Sequence, residues 1–478
     1  MAAENSNSAH LVIIGAGPGG YAAAFLAADL GLDTVVVDPE ENPGGVCLYR
    51  GCIPSKALLH VAKLLNETRE SENWGIRYQK PEIDLEKLRG WKDGVVNRLT
   101  GGLGQLTKQR KIRHIRGRAV FTGTHSLEIT EIEGNKRPFK FDYAVIASGS
   151  RPATIPPLAL DSSRVMNSTH ALNLEDIPES LLVIGGGYIG LEMGSVYSAL
   201  GSKVSVVEMM PGLLPGADRD LVRVLEKRVN QQFEKVMLNT KVVSMKEVGD
   251  SIKVNFESKE NGSAEQKFSK VMISIGRTPN SENLGLDVLE IKTDGRGFIP
   301  VDDQMRTKVH NIFAIGDIAG EPMLAHKASA EGRVAVEVIA GHKAAFEPRA
   351  IPAVVFTDPE IAWAGLTENQ AKEQERKVEV LRFPWAASGR ALTMDRMDGV
   401  TKLIVDPETE RILGMGIAGA GAGELISEGV LAIEMAANVT DVKLSIHPHP
   451  TLSETIMETA EMFFGQSTHV YRPKRSQK

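Results

Sequence analysis

The feature that most limits what this chain can fold into is one unit of strand, glycines, helix, strand and acid, written twice. Leu11-Val12-Ile13-Ile14 reads as a buried strand and leads into Gly15-Ala16-Gly17-Pro18-Gly19-Gly20. An alanine-rich helix is expected over 21–30, then a strand Thr34-Val35-Val36-Val37 ending in Asp38. A GxGxxG turn in that setting is the fingerprint of a βαβ unit that binds a dinucleotide. Gly15 permits the tight turn, Gly17 lets the backbone approach a pyrophosphate, and Gly20 lets the helix pack on the strand. The helix N-terminus favours phosphates, and Asp38 is placed for a ribose hydroxyl. The same parts return in register as Leu182-Val183-Ile184, Gly185-Gly186-Gly187-Tyr188-Ile189-Gly190 and Val206-Val207-Glu208, with Leu200-Gly201 repeating Leu30-Gly31. Gly185, Gly187 and Gly190 take the three glycine roles, and Glu208 that of the acid. The expected fold is α/β, with two Rossmann-like dinucleotide-binding domains.

Both units also end alike. Val145-Ile146-Ala147-Ser148-Gly149 and Ile273-Ser274-Ile275-Gly276 are each a strand running into glycine, with a proline shortly after. The proline-rich stretch 152–157 reads as a domain boundary. A further strand, Ile312-Phe313-Ala314-Ile315, ends in Gly316-Asp317, where open α/β sheets bind ligands; an ordinary turn aspartate is the plain alternative. After about residue 350 the pattern becomes α+β. Short strands stand at 354–356 and 378–381, a hairpin surrounds Asp406-Pro407, and helices follow over 423–438 and 453–464. The expected division is 1–152 for the first nucleotide domain, 153–279 for the second, 280–349 for a return to the first, and 350–478 for an interface domain.

Between the first unit's acid and its long helix lies Gly44-Gly45-Val46-Cys47-Leu48-Tyr49-Arg50-Gly51-Cys52-Ile53-Pro54-Ser55-Lys56, which holds both cysteines of the chain. As a structural staple, a bridge between Cys47 and Cys52 closes so small a ring that it stabilises by only about 2 kcal/mol. Pro54 suits the first turn of a helix, so Cys52 is expected at a helix N-terminus with Lys56 one turn on, a corner that lowers a thiol pKa. Two unrelated buried cysteines or half of a metal site are the alternatives. With no third cysteine a tetrathiolate site is impossible, and no metal is expected. Near the other end, His447-Pro448-His449-Pro450-Thr451-Leu452-Ser453-Glu454 offers a base that accepts a proton near neutral pH, which a dithiol needs before its sulfur attacks. From spacing alone, Thr451 and Glu454 read as a capping box opening the last helix.

Composition excludes several classes. The net charge of −6 leaves no basic footprint for nucleic acid. No apolar run approaches the roughly 20 residues of a membrane span. The opening residues 1–8 carry neither an apolar signal core nor an Arg-rich transit composition, so the expectation is a cytoplasmic protein. The basic tail 472–478 is expected to be merely solvated.

These motifs closely resemble the pyridine nucleotide–disulfide oxidoreductases, and among them the members that oxidise dihydrolipoamide. The likeness runs from about Leu11 to about Phe464 and rests on residues 44–56, the paired glycine units, Ala314-Ile315-Gly316-Asp317 and His449 to Glu454. It implies FAD on the first unit and NAD on the second, with Gly45 and Gly149 also on the FAD side. Lys56 would meet the flavin ring and pair with Glu192, Asp317 would hold the ribityl side, and Ala119 and Ala325 would line the FAD site. Val242 and Gly276 would line the NAD site. Cys47 would face substrate and Cys52 the flavin. His449, oriented by Glu454, would serve as acid–base from the other subunit of a homodimer. Lipoyl domains of 2-oxo acid dehydrogenase acyltransferases, or the glycine cleavage carrier protein, would bring the substrate. Three departures stand out: Tyr49-Arg50 between the cysteines, where Asn-Val is usual; Asp38 where Glu is commoner; and Pro448 before His449. Glu208 repels a 2′-phosphate and so favours NAD over NADP. A redox sensor with both nucleotide sites and no turnover is the competing class, but it leaves the dithiol, His449 and Glu454 without a role.

Overall fold

The computed structural model describes residues 6–259 and 262–471; the tail 472–478 lies outside them. The chain opens with strand β1 (Ser8–Ile14), helix α1 (Pro18–Asp29) and strand β2 (Thr34–Asp38). Leu11, Val12 and Ile13 are fully buried, because a parallel strand covered on both faces carries an unbroken apolar run. Helix α1 begins three residues before the expected start, with Pro18 in its first turn, where its missing N–H costs nothing. Next come α2 (Gly45–Arg50), α3 (Cys52–Glu70), α4 (Leu85–Gln109), β3 (Arg113–Gly123), β4 (Ser126–Glu131) and β5 (Lys136–Ile146). Strand β1 lies between β2 and β5, all parallel, and β2 pairs parallel with β3. Strand β4 runs antiparallel to both β3 and β5.

A short strand β6 (Ser150–Pro152) leaves this sheet, and β7 (Val165–Asn167), α5 (Ser168–Asn173), β8 (Ser180–Ile184), α6 (Tyr188–Leu200), β9 (Lys203–Val207), α7 (Arg219–Gln232) and β10 (Lys235–Met237) follow. An antiparallel meander, β11 (Thr240–Val248), β12 (Ser251–Ser258) and β13 (Gly262–Phe268), precedes β14 (Lys270–Ile273). The second sheet is parallel, in the order β10-β9-β8-β14-β7. Strand β15 (Arg277–Pro279) then pairs antiparallel with β6, so the outgoing and returning chain run side by side. Strand β16 (Ile312–Ala314) rejoins the first sheet parallel to β5, and α8 (Ala325–Ile339) packs on α1. A Cβ at Gly332 of α8 would stand 2.7 Å from the Gly19 carbonyl oxygen, so this approach needs glycine.

The remaining chain forms β17 (Ala353–Val355), β18 (Glu360–Gly365), α9 (Glu368–Glu373), β19 (Glu379–Pro384), α10 (Gly389–Thr393), β20 (Val400–Val405), β21 (Ile412–Gly419), α11 (Ala422–Glu434), α12 (Val439–Leu444) and α13 (Glu454–Phe463). Its sheet is antiparallel, ordered β17-β18-β21-β20-β19, and β20-β21 is the hairpin expected around Asp406-Pro407. Buried Lys402 on β20 donates to Asp218 (2.6 Å), Asp220 (2.8 Å) and Glu368 (2.9 Å), pinning the start of α7 to this sheet. Burial works against the Asp220 carboxylate, but Lys402 and Arg382 bring its pKa down to about 2. Leu431, Met435, Leu444 and Ile446 stand exposed on and just after α11 and α12, an apolar surface of the kind that marks an interface. Among the described residues no helix is long and apolar enough to cross a membrane.

Candidate active site between two nucleotide units

After β2 the chain folds back so that the Gly44 N–H donates to the Ala16 carbonyl (2.8 Å). Gly45, at φ +56°, then sets α2 directly on the glycine turn: a Cβ there would lie 2.5 Å from Gly17 Cα. Helix α2 carries Cys47, half-buried; Cys52 opens α3 and is exposed. Both are free thiols. A hydrogen bond from Cys47 brings the Cys52 pKa down to about 7, against the opposing pull of burial and with help from Lys56. Cys47 is pushed up by that same bond and by burial. Of the two sulfurs, Cys52 is therefore the one that gives up its proton first.

Cys47 and Cys52 line a cavity of 850 Å³, within the range of ordinary ligand sites. Gly15, Gly17, Gly20, Asp38, Gly45, Lys56, Ala119, Gly149, Glu192, Asp317 and Ala325 all reach its wall. Residues at the starts of several helices, α1, α3 and α8 among them, line it, and helix N-termini favour a negative group such as a diphosphate. Asp38, at the end of β2, accepts from the Ala16 N–H (2.7 Å) and the Glu40 N–H (2.9 Å). Burial nevertheless raises its pKa. Lys56 pairs with the buried carboxylate of Glu192 on α6 at 2.9 and 3.2 Å, and Glu192 also accepts from the Phe356 N–H (3.0 Å). Lys56 Nζ lies 4.5 Å from the centre of the Phe356 ring. Helix α3, helix α6 and the segment after β17 therefore meet at this one ammonium group.

The second unit repeats the local design outside the cavity. Glu208, just past β9, accepts from the Gly186 N–H and the Met210 N–H, both at 2.7 Å. Gly185 and Gly190 are required by contact: a Cβ on Gly185 would meet the Ser274 oxygen at 2.5 Å, and one on Gly190 the Gly185 oxygen at 2.2 Å. A Cβ added at Gly187 or Gly276 would meet nothing within 4 Å. Val242 is buried in β11, whose first residue, Thr240, donates its N–H to the Glu208 carbonyl (3.0 Å). Tyr188 and Ile189, at the start of α6, line the large cavity, so this helix stands between the two units.

His449 and Glu454 lie elsewhere, on the third domain, and neither lines the cavity. Glu454 Oε1 meets His449 Nδ1 at 2.9 Å while its Oε2 accepts from the Thr451 N–H at 2.7 Å. The capping-box expectation needs correction. Helix α13 begins at Glu454 with Ser453 as its N-cap, and no side chain caps it. Thr451 Oγ1 instead donates to the Pro448 carbonyl at 2.7 Å. The imidazole of His449 is 75% exposed and shares no cavity wall with the thiols of its own subunit.

Two neighbours of Asp317 lie beyond what the sequence analysis names. Ser150 donates to its carboxylate, and Arg277 donates to the Ser150 hydroxyl and carbonyl, each at 2.7 Å. Both residues belong to the matching unit ends, Gly149-Ser150-Arg151-Pro152 and Gly276-Arg277-Thr278-Pro279, and that likeness was the available signal.

Comparison with known proteins agrees with this geometry. Residues 9–332 match the model of the pyridine nucleotide-disulphide oxidoreductases, and residues 351–460 match that family's dimerisation domain, the part that supports a homodimer. Dihydrolipoyl dehydrogenase of Vibrio cholerae is 48% identical over 98% of both chains. That of Thermus scotoductus is 45% identical over 96% of this chain and 98% of its own. Among solved structures, LpdA from Mycobacterium tuberculosis superposes with a TM-score of 0.88 at 26% identity, covering 95% of this chain and 99% of that one. The HOCl-induced flavoprotein disulfide reductase RclA from Escherichia coli reaches 0.84 at 27% identity, covering 95% and 99%. The chain belongs to the pyridine nucleotide-disulphide oxidoreductase family.

Proposed function

We propose that the chain oxidises dihydrolipoyl groups to lipoyl groups and delivers the electrons to NAD+ by way of FAD. The observation that carries this reading is the thiol pair, with a thiolate-forming Cys52 on the wall of a dinucleotide cavity and Cys47 beside it. When bound, the flavin supplies a two-electron carrier between a dithiol and a nicotinamide, chemistry that no side chain performs. Gly15, Gly17, Gly20, Asp38, Gly45, Ala119, Gly149, Asp317 and Ala325 would hold it, with Lys56 kept in place by Glu192. Gly185, Gly187, Gly190, Glu208, Val242 and Gly276 would hold NAD.

The residues then have the following work. His449 Nε2, free because Nδ1 faces Glu454, takes the proton from one substrate thiol. The resulting thiolate attacks Cys47 Sγ of the Cys47–Cys52 disulfide; the S–S bond breaks and its electron pair leaves on Cys52, whose low pKa suits a leaving thiolate. The second substrate thiol gives its proton to solvent, and its sulfur attacks the first. The substrate disulfide closes, and Cys47 leaves with the proton returned from His449. One dithiol is oxidised and one disulfide reduced. His449 would come from the second subunit of a homodimer, and a lipoyl domain of an acyltransferase or of a glycine cleavage carrier would present the substrate. A cytoplasmic location and domain boundaries at 152, 279 and 349 belong to the same reading.

Steady-state rates with dihydrolipoamide and with glutathione, each against NAD+ and NADP+, test it. Dihydrolipoamide with NAD+ is expected to dominate, and Cys52→Ser to keep flavin while losing turnover. Faster glutathione turnover, or an active Cys52→Ser variant, would sink the proposal.

A further inference from the structure

The six-residue helix α2 does more than separate the cysteines. Its last residue, Arg50, lines the cavity at the end occupied by Asp38, Glu40 and Arg118. Its guanidinium pairs with Glu40, and Glu40 in turn donates its N–H to Asp38 at 2.9 Å. Tyr49 steadies this arrangement. Its hydroxyl donates to the Asn42 carbonyl (2.9 Å), and Asn42 packs against Gly104 of α4, where a Cβ would stand 2.0 Å from its side-chain oxygen. The Arg50 guanidinium lies 5.9 Å from the centre of the Tyr49 ring. Glu40 engages one of its nitrogens, and a guanidinium carries five N–H donors in a fixed fork. Arg118, on the same wall, has no carboxylate in an ion pair among the described residues. Together they place donors for phosphate or ribose oxygens on the same wall as Asp38, at the end of β2.

We infer that Arg50 is a cofactor-retention residue. Its guanidinium, set beside Glu40 and the Tyr49 ring, closes over the adenylate half of the bound flavin dinucleotide and donates to its oxygens. The inference rests on the reading of this cavity as the FAD site. It gives the Tyr49-Arg50 pair a purpose away from the sulfur chemistry: the helix that positions Cys47 also grips the far end of the cofactor.

The test is the rate of FAD release from the holoenzyme in mild chaotrope, read by flavin fluorescence, with global unfolding followed separately. Arg50→Val should release FAD roughly tenfold faster, as loss of a partly screened charge-assisted bond implies. Arg50→Lys should recover part of the loss, and added salt should narrow the gap between Arg50→Val and wild type. Glu40→Gln leaves the guanidinium in place and should change release by no more than about twofold. If Glu40→Gln matches Arg50→Val, Arg50 is only a brace and the inference fails. Asp38→Asn serves as the reference. Fast release from Asp38→Asn with wild-type release from Arg50→Val overturns the role of Arg50 alone. Wild-type release from both overturns the assignment of the cavity itself.

Discussion

The two nucleotide units are near copies in sequence and differ in what lies above them. In both, the first glycine turns against a neighbouring carbonyl, the third packs on the first, and the acid after the second strand is held by two backbone N–H groups. Above the first unit, α2 sits so close that Gly45 and Gly17 touch backbone to backbone. Above the second, Gly187 faces open space, and Met209 and Met210 beside the acid are exposed. One fingerprint therefore yields a roofed site and an open one. A roof slows departure, as suits a group that stays through many turnovers; an open site suits one that must exchange every cycle.

The sharpest way to break this contrast is to put the same methyl group into each half. Gly45→Ala drives a Cβ into Gly17 from a left-handed backbone position and should cost about 3 kcal/mol at the site, roughly a hundredfold in flavin retention. Gly187→Ala has room and should leave flavin content unchanged, weakening NADH binding several-fold at most. Flavin-to-protein absorbance and NADH titration measure the two. Equal effects from both variants would mean that α2 is no roof.

Two smaller changes separate the half-reactions. Glu454→Gln keeps the size but removes the charge beside His449, so reduction by dihydrolipoamide should slow about tenfold or more, as acid–base groups are typically worth roughly 10²–10⁴-fold. Flavin reduction by NADH should hardly change, and stopped-flow traces of both steps decide it; parallel losses would point to general damage. Glu208→Ala should act only on the open side, lowering kcat/KM for NAD+ about tenfold and narrowing the preference over NADP+. A wild-type preference for NADP+ would refute that charge argument.

What the sequence made legible was whatever the backbone itself demands. Gly15, Gly20, Gly185 and Gly190 are forced by contacts inside one unit, and the cysteines announce themselves as the chain's only two. The Ser150–Arg277 bridge to Asp317 was not legible, because β6 and β15 meet only after a whole domain has folded between them. The Arg50–Glu40 pair is not legible although its partners are ten residues apart, since nothing in the spacing shows that the loop after β2 doubles back. From the sequence Glu454 reads as a cap or as the partner of His449. Its two oxygens divide the work instead, one to the Thr451 N–H and one to the imidazole.

The mildest probe of the contrast is pH, because only the roofed site contains a group that titrates near neutrality for a reason seen in its geometry. Cys52 is brought down to about 7 from the ordinary thiol value of 9.0, first by the hydrogen bond from Cys47, with burial opposing and Lys56 assisting. In the reduced enzyme the Cys52 thiolate should therefore be about one-tenth populated at pH 6 and about nine-tenths at pH 8, a change of roughly ninefold. Thiolate absorbance and the rate of alkylation at Cys52 should follow that curve. Cys47→Ala removes the donor and should move the curve upward toward ordinary thiols, and Lys56→Met should move it up by less, a smaller favourable cause being lost. NADH affinity at the open site should stay level over the same window, because neither oxygen of Glu208 meets a group that titrates there. If Cys52 titrates near 9 in the wild-type protein, the Cys47 hydrogen bond does not govern the pair, and the division of labour between the two sulfurs must be assigned on other grounds.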